Sequence, residues 1–364
     1  MGIREDISFR ELNNLISEFN IQVDALKEVK ISSLSASSHL FRLEPERLTD
    51  PQYRKIHFPE DTFVISTPAI RDIACFPHLV GKILAERCQE AATVSIQVMK
   101  ELWALSPSRL IIYDILRAAP GYRMAEGFQE LGWLLPHIQI RPHYRVVSYR
   151  DHLGNSRIME VLMEDFSALS SSPEWTVIKP DTEASGNTSK IAIERLIIEA
   201  KKKRTKIKEI ICLGFISVPA IGVLEELAEK YNFKLKILAW GNITALYQNN
   251  YDMPVYGLDE SIWREHKKIR KLGSIIPLAV LKDYLPYYIP GADQPGDWSA
   301  RQSKVSTGKG WEEGGIEKHL QNSFQFINNI YQLSQKQPWF YPWHKKIIDK
   351  ELKQLIKEMK NRSL

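Results

Sequence analysis

The chain has 364 residues, 44% of them hydrophobic and 26% charged, with a formal net charge of +5. Those proportions belong to a globular chain and exclude a disordered segment, a fibre or a bundle of membrane spans. A mildly basic balance suits an anionic small molecule as well as nucleic acid and decides neither. Cys75, Cys88 and Cys212 lie far apart with no metal or redox spacing, and the charged N-terminus lacks the apolar core of a signal peptide. The expected setting is the cytoplasm, with no membrane partner.

In chain order, Leu12, Leu15, Ile16 and Phe19 after Ser8 predict an amphipathic helix. The serine-rich 32–38 and proline-punctuated 51–59 read as connections, and a long helix is predicted over about 79–105. From Arg109 the pattern changes. Short apolar runs at 110–113, 138–140, 146–149, 175–178, 210–216 and 235–240 read as buried strands, with helices predicted over 124–131, 191–203 and 221–231. This alternation predicts an α/β fold with a doubly wound, mostly parallel sheet. Ligands of such sheets sit in loops beyond the C-terminal strand ends, here after Tyr113 and Ile178. Residues 243–286 are less regular, and 290–296 form a loop rich in proline and glycine.

Farther on, Ser306-Thr-Gly-Lys-Gly310 follows no predicted strand and reads as mobile. The aromatic cluster Trp339, Phe340, Tyr341 and Trp343 and the amphipathic helix after it predict packing or a subunit interface. The basic run 201–208 lies at a predicted helix end and reads as a solvated surface, so nucleic acid is not the expected partner. None of the nine histidines shows metal spacing, and His143 and His152 read as ordinary loop residues.

The most informative segment is Trp175-Thr-Val-Ile-Lys-Pro-Asp-Thr-Glu-Ala-Ser-Gly-Asn-Thr-Ser189. A strand feeds a loop of small hydroxylated residues, and the loop opens a helix. The first turn of a helix carries unpaired N–H groups and the positive dipole end, which together hold a phosphate. Ser185, Thr188 and Ser189 can add hydroxyl donors, and Gly186 lets the backbone approach closely. Asp181 and Glu183 would repel a phosphate but suit sugar hydroxyls or Mg²⁺. A simple N-cap by Ser185 or Thr188 is the alternative.

Asp181-Thr-Glu-Ala-Ser-Gly-Asn-Thr188 resembles the phosphoribosyl pyrophosphate loop of type I phosphoribosyltransferases. Within that group, Ile115-Leu-Arg-Ala118 followed by Gly121, Tyr149-Arg150-Asp151 and Tyr288-Ile-Pro-Gly-Ala-Asp-Gln-Pro-Gly-Asp297 are similar to segments of uracil phosphoribosyltransferase, in the same order over about 76–300. The resemblance implies a type I phosphoribosyltransferase fold at 76–300, with an insertion at about 243–286 and helical additions at 1–75 and 301–364. It implies transfer of ribose 5-phosphate to a nitrogenous base with release of pyrophosphate, as in nucleotide metabolism and pyrimidine salvage. Mg²⁺ would travel on the diphosphate without direct protein ligands, and the chain would form a homodimer or larger.

Carried over by position, Asp181 and Arg117 would be catalytic. Arg117, Arg150, Asp181, Thr182, Glu183, Ala184, Ser185, Gly186, Asn187, Thr188 and Ser189 would bind phosphoribosyl pyrophosphate. Tyr288, Gly291, Asp293, Gln294 and Asp297 would read the base. Departures gather on the base side: Pro295 lacks an N–H, and Tyr288 stands in place of an isoleucine. The acceptor is therefore uracil or another pyrimidine or aromatic ring. The rival expectation is a non-catalytic regulator that senses phosphoribosyl pyrophosphate or a nucleotide and contacts RNA or a protein.

Overall fold

The apolar runs assemble side by side. In the computed structural model, which describes residues 6–146 and 157–362, they form a nine-stranded sheet. Its strands are β1 (Leu26–Val29), β2 (His39–Leu43), β3 (Thr62–Ser66), β4 (Leu110–Ile115), β5 (His137–Val146), β6 (Arg157–Asp165), β7 (Glu174–Pro180), β8 (Lys206–Ser217) and β9 (Lys234–Thr244). The spatial order is β1-β2-β3-β9-β8-β7-β4-β5-β6. From β3 through β5 in that order every pairing is parallel, and β1, β2 and β6 are antiparallel margins. Central strands buried on both faces read as unbroken aliphatic runs, as β8 does over Ile210–Ile216.

Helices α1 (Phe9–Glu18), α2 (Pro68–Cys75), α3 (Gly81–Trp103), α4 (Met124–Glu130), α5 (Asn187–Lys202) and α6 (Val218–Tyr231) accompany the sheet. α3 packs on α2 and α4, whereas α5 packs on α6; with the strand order, the right-handed crossover rule assigns the two sets to opposite faces. The chain passes from β4 to β5 in one direction and resumes at β7 on the other side of β4. The loops after β4 and β7 therefore part at a topological switch point, the usual seat of a ligand in an open α/β sheet.

The α/β expectation holds, with two additions. The N-terminal 1–75 contains the foreseen helix, held by a reciprocal Ser8–Glu11 capping box, and also three strands of the sheet. A boundary at residue 75 thus does not divide the structure, since β3 pairs directly with β9. β1 and β2 escaped notice because each is short and carries polar residues. The 243–286 segment holds β10 (Tyr256–Leu258), α7 (Glu260–His266), β11 (Lys271–Gly273) and α8 (Leu278–Tyr284).

Beyond it lie α9 (Trp298–Arg301), the hairpin β12 (Lys304–Ser306) and β13 (Trp311–Glu313), α10 (Ile316–Ser334) and α11 (Pro342–Arg362). Ser306–Gly310, expected as a mobile stretch, belongs to that hairpin, with the Thr307 N–H donating to the Gly310 carbonyl at 3.0 Å. Trp339 and Trp343 are buried, and Trp339 meets Phe19 edge-on at 4.8 Å, so the aromatic cluster serves packing. Buried Arg301 ties the C-terminal part to α2 by donating to the carbonyls of Ile73, Phe76, Leu79 and Pro295. All three cysteines are buried and free. No helix among the described residues is long and apolar enough to cross a membrane.

Candidate functional site

Residues two apart on an extended chain share a face, and Lys179, Asp181 and Glu183 do so at the end of β7. The chain keeps its pairing with β8 past the strand: Asp181 N–H donates to Leu213 O at 3.0 Å, Glu183 N–H to Phe215 O at 2.8 Å, and Ser217 N–H back to Glu183 O at 2.9 Å. Gly214 makes this approach possible. Its φ is +126°, and a Cβ there would stand 2.3 Å from the Asp181 carbonyl oxygen.

The fully buried Lys179 ammonium donates to Asp181 Oδ2 at 3.2 Å and to the Glu183 carboxylate. Ser189 Oγ lies 2.7 Å from both Glu183 oxygens, and Thr182 N–H donates to Asp181 Oδ1 at 2.8 Å. Burial alone would lower the Lys179 pKa, but Glu183 and Asp181 outweigh it and hold the ammonium charged. Burial pushes Asp181 up to about 7, with Lys179 opposing and Glu183 adding to the rise. One lysine between two carboxylates leaves the cluster with one net negative charge when both are ionised.

This cluster underlies a cleft of about 610 Å³, within the range of small-molecule sites. The whole loop 181–188 lines it, with Ile115 at the end of β4, Leu116 and Ala118 after it, Pro142 of β5, and Asn249–Tyr251. Gly186 caps α5 with φ +76° and no side chain serves as cap, so the capping alternative for Ser185 and Thr188 is not realised. Gly186 is required by packing as well, because a Cβ would lie 2.9 Å from Val223 Cβ on α6. The loop is pinned from below by the Tyr122 hydroxyl, 2.7 Å from Thr182 Oγ1. Tyr122 stacks on Trp298 at 4.5 Å, and the Trp298 indole donates to Ala118 O at 3.1 Å. Both cleft loops thus rest on one aromatic support. The Leu116–Arg117 peptide is cis.

Of the residues expected at phosphoribosyl pyrophosphate, Asp181, Thr182, Glu183, Ala184, Ser185, Gly186, Asn187 and Thr188 line the cleft. Ser189 does not: it is buried and its hydroxyl is spent on Glu183. Arg117 lines a neighbouring cavity of about 280 Å³ on the other side of the β4 loop. There its guanidinium meets Glu312 of β13 at 3.0 Å, and Arg141 approaches the same carboxylate at 3.9 Å. The expected catalytic pair Asp181 and Arg117 therefore occupies two adjoining cavities. Arg150 and His152 lie outside the described residues, and His143 is an exposed residue of β5.

The residues expected to read a base are elsewhere. Tyr288 is fully buried, its hydroxyl accepting from Val255 N–H at 2.9 Å and donating to Ala292 O. Asp293 accepts from Met253 N–H at 2.7 Å, and burial pushes its carboxyl well above the usual range. Gln294 accepts from the Asn242 amide at 2.7 Å and donates to Met253 O at 2.9 Å. Gly291 N–H donates to Tyr256 O at 2.7 Å, and Asp297 caps α9 through Ala300 N–H at 3.1 Å. None of the five lines the cleft. The physical reason is that Asn242 and residues 253–256 lie against this loop and take up its polar groups.

Sequence reasoning missed Lys179, Tyr122, Gly214 and the Asn249–Tyr251 wall. The alternation of Lys179, Asp181 and Glu183 was a usable signal, since a lysine inside a buried strand demands partners. The other three depend on contacts distant in sequence. The same holds for His57, Glu225 and Glu229, whose ligand atoms lie within 4.8 Å of one another outside the cleft lining, although no histidine had metal spacing in sequence.

No family model matches the chain, and no curated protein does. Among solved structures it is similar to adenine phosphoribosyltransferase from Trypanosoma brucei, at 15% identity and a TM-score of 0.31, over 63% of this chain and 98% of that one. It is also similar to orotate phosphoribosyltransferase from Aeropyrum pernix, at 18% identity and 0.26, over 43% and 76%. Adenine phosphoribosyltransferase from Leishmania donovani aligns at 12% identity and 0.28, over 46% and 69%.

Proposed function

We propose that this chain is a phosphoribosyltransferase of type I that moves ribose 5-phosphate from phosphoribosyl pyrophosphate to a nitrogen of a base, releasing pyrophosphate. The observation that carries the reading is the cleft at the switch point, where loop 181–188 ends in an α5 start that no side chain caps. Backbone N–H groups of that turn, with Ser185 and Thr188, suit the 5-phosphate. Asp181, each of whose oxygens accepts a single hydrogen bond, keeps lone pairs for the ribose hydroxyls, whereas Glu183 is held by both Lys179 and Ser189. Displacement at the anomeric carbon develops positive charge on the sugar, which the net negative cluster beneath the cleft stabilises.

Both carboxylates already have protein partners, so Mg²⁺ would arrive on the diphosphate rather than on a dedicated protein site. When bound it would neutralise the leaving diphosphate. Arg117 can serve the diphosphate only by exchanging Glu312 for it, one anionic partner for another. The burial of the loop 288–297 favours an acceptor pocket unlike that of uracil enzymes. It equally supports the second reading, a sensor that binds the sugar phosphate without transfer.

The test is pyrophosphate release from phosphoribosyl pyrophosphate and Mg²⁺ with a panel of pyrimidine, purine and aromatic-acid acceptors. The enzyme reading expects release dependent on one acceptor and abolished by Asp181→Asn. Binding without release from any acceptor would leave the sensor reading in its place.

A further inference from the structure

Two parts of the cleft lining differ in chemistry. Loop 181–188 presents small polar residues, whereas a second part of the lining is a turn that carries Tyr251. That turn is rigidly built. The Asn249 side-chain carbonyl accepts from Tyr251 N–H at 2.9 Å and Asp252 N–H at 3.1 Å, and its amide donates to Asp252 Oδ2 at 2.6 Å. Gln248 N–H donates to Asp259 Oδ2 at 2.8 Å, and Tyr247 N–H to Asp252 O at 2.9 Å. The Tyr247 hydroxyl lies 2.6 Å from Leu258 O and 2.7 Å from Gly291 O, which roots the turn in the sealed loop.

On this braced turn Tyr251 is 58% exposed, and among the described residues its ring touches no other aromatic ring. It is the one large exposed apolar side chain among the described residues that lines this cleft. A flat ring held by a rigid backbone loses little freedom on binding, and it offers a π-face to any planar heterocycle.

We propose that Tyr251 is the platform on which the ring of the acceptor base, and of the product nucleotide, stacks in the cleft that the 181–188 loop lines. The proposal rests on the phosphoribosyl reading of the cleft. It moves base recognition away from Tyr288–Asp297, whose polar groups are bound within the protein. Stacking tolerates any flat heterocycle, so Tyr251 supplies affinity, while the choice among bases falls to polar groups at the ring edge.

The experiment is calorimetric titration of ribose 5-phosphate and of uridine, cytidine, adenosine and guanosine 5′-monophosphates into wild type, Tyr251→Phe and Tyr251→Ala. The expected result is at least one nucleotide that binds wild type more tightly than ribose 5-phosphate. Tyr251→Ala should weaken that nucleotide by about tenfold or more and leave ribose 5-phosphate within about twofold, while Tyr251→Phe retains both. Nucleotide binding indifferent to Tyr251→Ala, or no nucleotide tighter than ribose 5-phosphate, overturns the stacking role. Nucleotide binding that depends on Tyr251 without any binding of ribose 5-phosphate would keep the platform and overturn the sugar-phosphate reading. No binding of any probe would overturn both.

Discussion

Two loops of this chain resemble functional loops of one enzyme family, and the fold treats them oppositely. Loop 181–188 keeps its small residues on a cleft wall and leaves its helix start uncapped. Loop 288–297 turns its tyrosine, aspartate and glutamine inward, and each finds a partner on residues 242–255. A polar side chain pointing into a cleft can serve a ligand; one that satisfies a buried N–H has become part of the core. The difference arises from residues 242–255, which supply the partners for one loop, while Asn249–Tyr251 line the same cleft as the other.

The cleft loop depends most on Gly214. Gly214→Ala drives a Cβ into the Asp181 carbonyl at a left-handed φ. The expected cost is about 3 kcal/mol or more, read as a fall in melting temperature together with loss of ligand binding. An unchanged melt would show that the loop can move away freely.

The core beside the sealed loop has a pH signature, at a histidine of α11 that meets the Tyr256 hydroxyl at 3.3 Å. Buried His344 accepts from Tyr341 N–H at 3.0 Å, and burial lowers its pKa to about 3. A histidine depressed in the folded state favours the neutral ring. Its stabilisation is complete above the unfolded value of about 6.5 and is lost as pH falls toward 3, at up to about 1.4 kcal/mol per pH unit. The melting temperature of wild type relative to His344→Gln should fall as pH drops from 6.5 to 4, a difference in which the opposite contribution of Asp181 cancels. A difference constant across that range would contradict it.

Tyr288→Phe sharpens the contrast. Removing the hydroxyl leaves Val255 N–H and Ala292 O without their shared partner, at an expected cost of about 1–3 kcal/mol with ligand affinity unchanged. Asp181→Asn should do the reverse. Because burial holds Asp181 at about 7, its protonated form is favoured in the folded state. Its contribution to stability is full below the unfolded value of about 3.9 and is lost as pH rises through 7. At pH 8 the asparagine variant should therefore melt no lower than wild type, while binding phosphoribosyl pyrophosphate about tenfold more weakly. Wild-type affinity should rise with pH through 7, and the variant's should not. The smallest expected effect is at Glu312. This exposed pair contributes little to stability, so Glu312→Gln should leave the melt unchanged and tighten pyrophosphate binding a few-fold by freeing Arg117.

Much of the fold was legible in the sequence. The strands β4, β7, β8 and β9 and the helices α3 to α6 announce themselves by periodicity, and their alternation points to the loops after β4 and β7, which the strand order then places at the switch point. β1–β3 were not legible, because each is short and becomes a strand only through its neighbour: β3 pairs with β9, β2 with β3 and β1 with β2. In the site, the 181–188 loop was readable because its function is local: a strand end, small residues and a helix start. The fate of Tyr288, Asp293 and Gln294 was not, since it depends on partners more than thirty residues away in sequence. Arg117 shows the same limit, its partner Glu312 lying 195 residues downstream.

In the function proposed here, loop 181–188 and not loop 288–297 holds the ligand. Calorimetric titration of phosphoribosyl pyrophosphate with Mg²⁺ into wild type, Asp181→Asn and Tyr288→Phe tests it most directly. The account predicts binding to wild type, about tenfold weaker binding to Asp181→Asn, and wild-type affinity in folded Tyr288→Phe. No binding to wild type, or loss in Tyr288→Phe with Asp181→Asn unaffected, would contradict it.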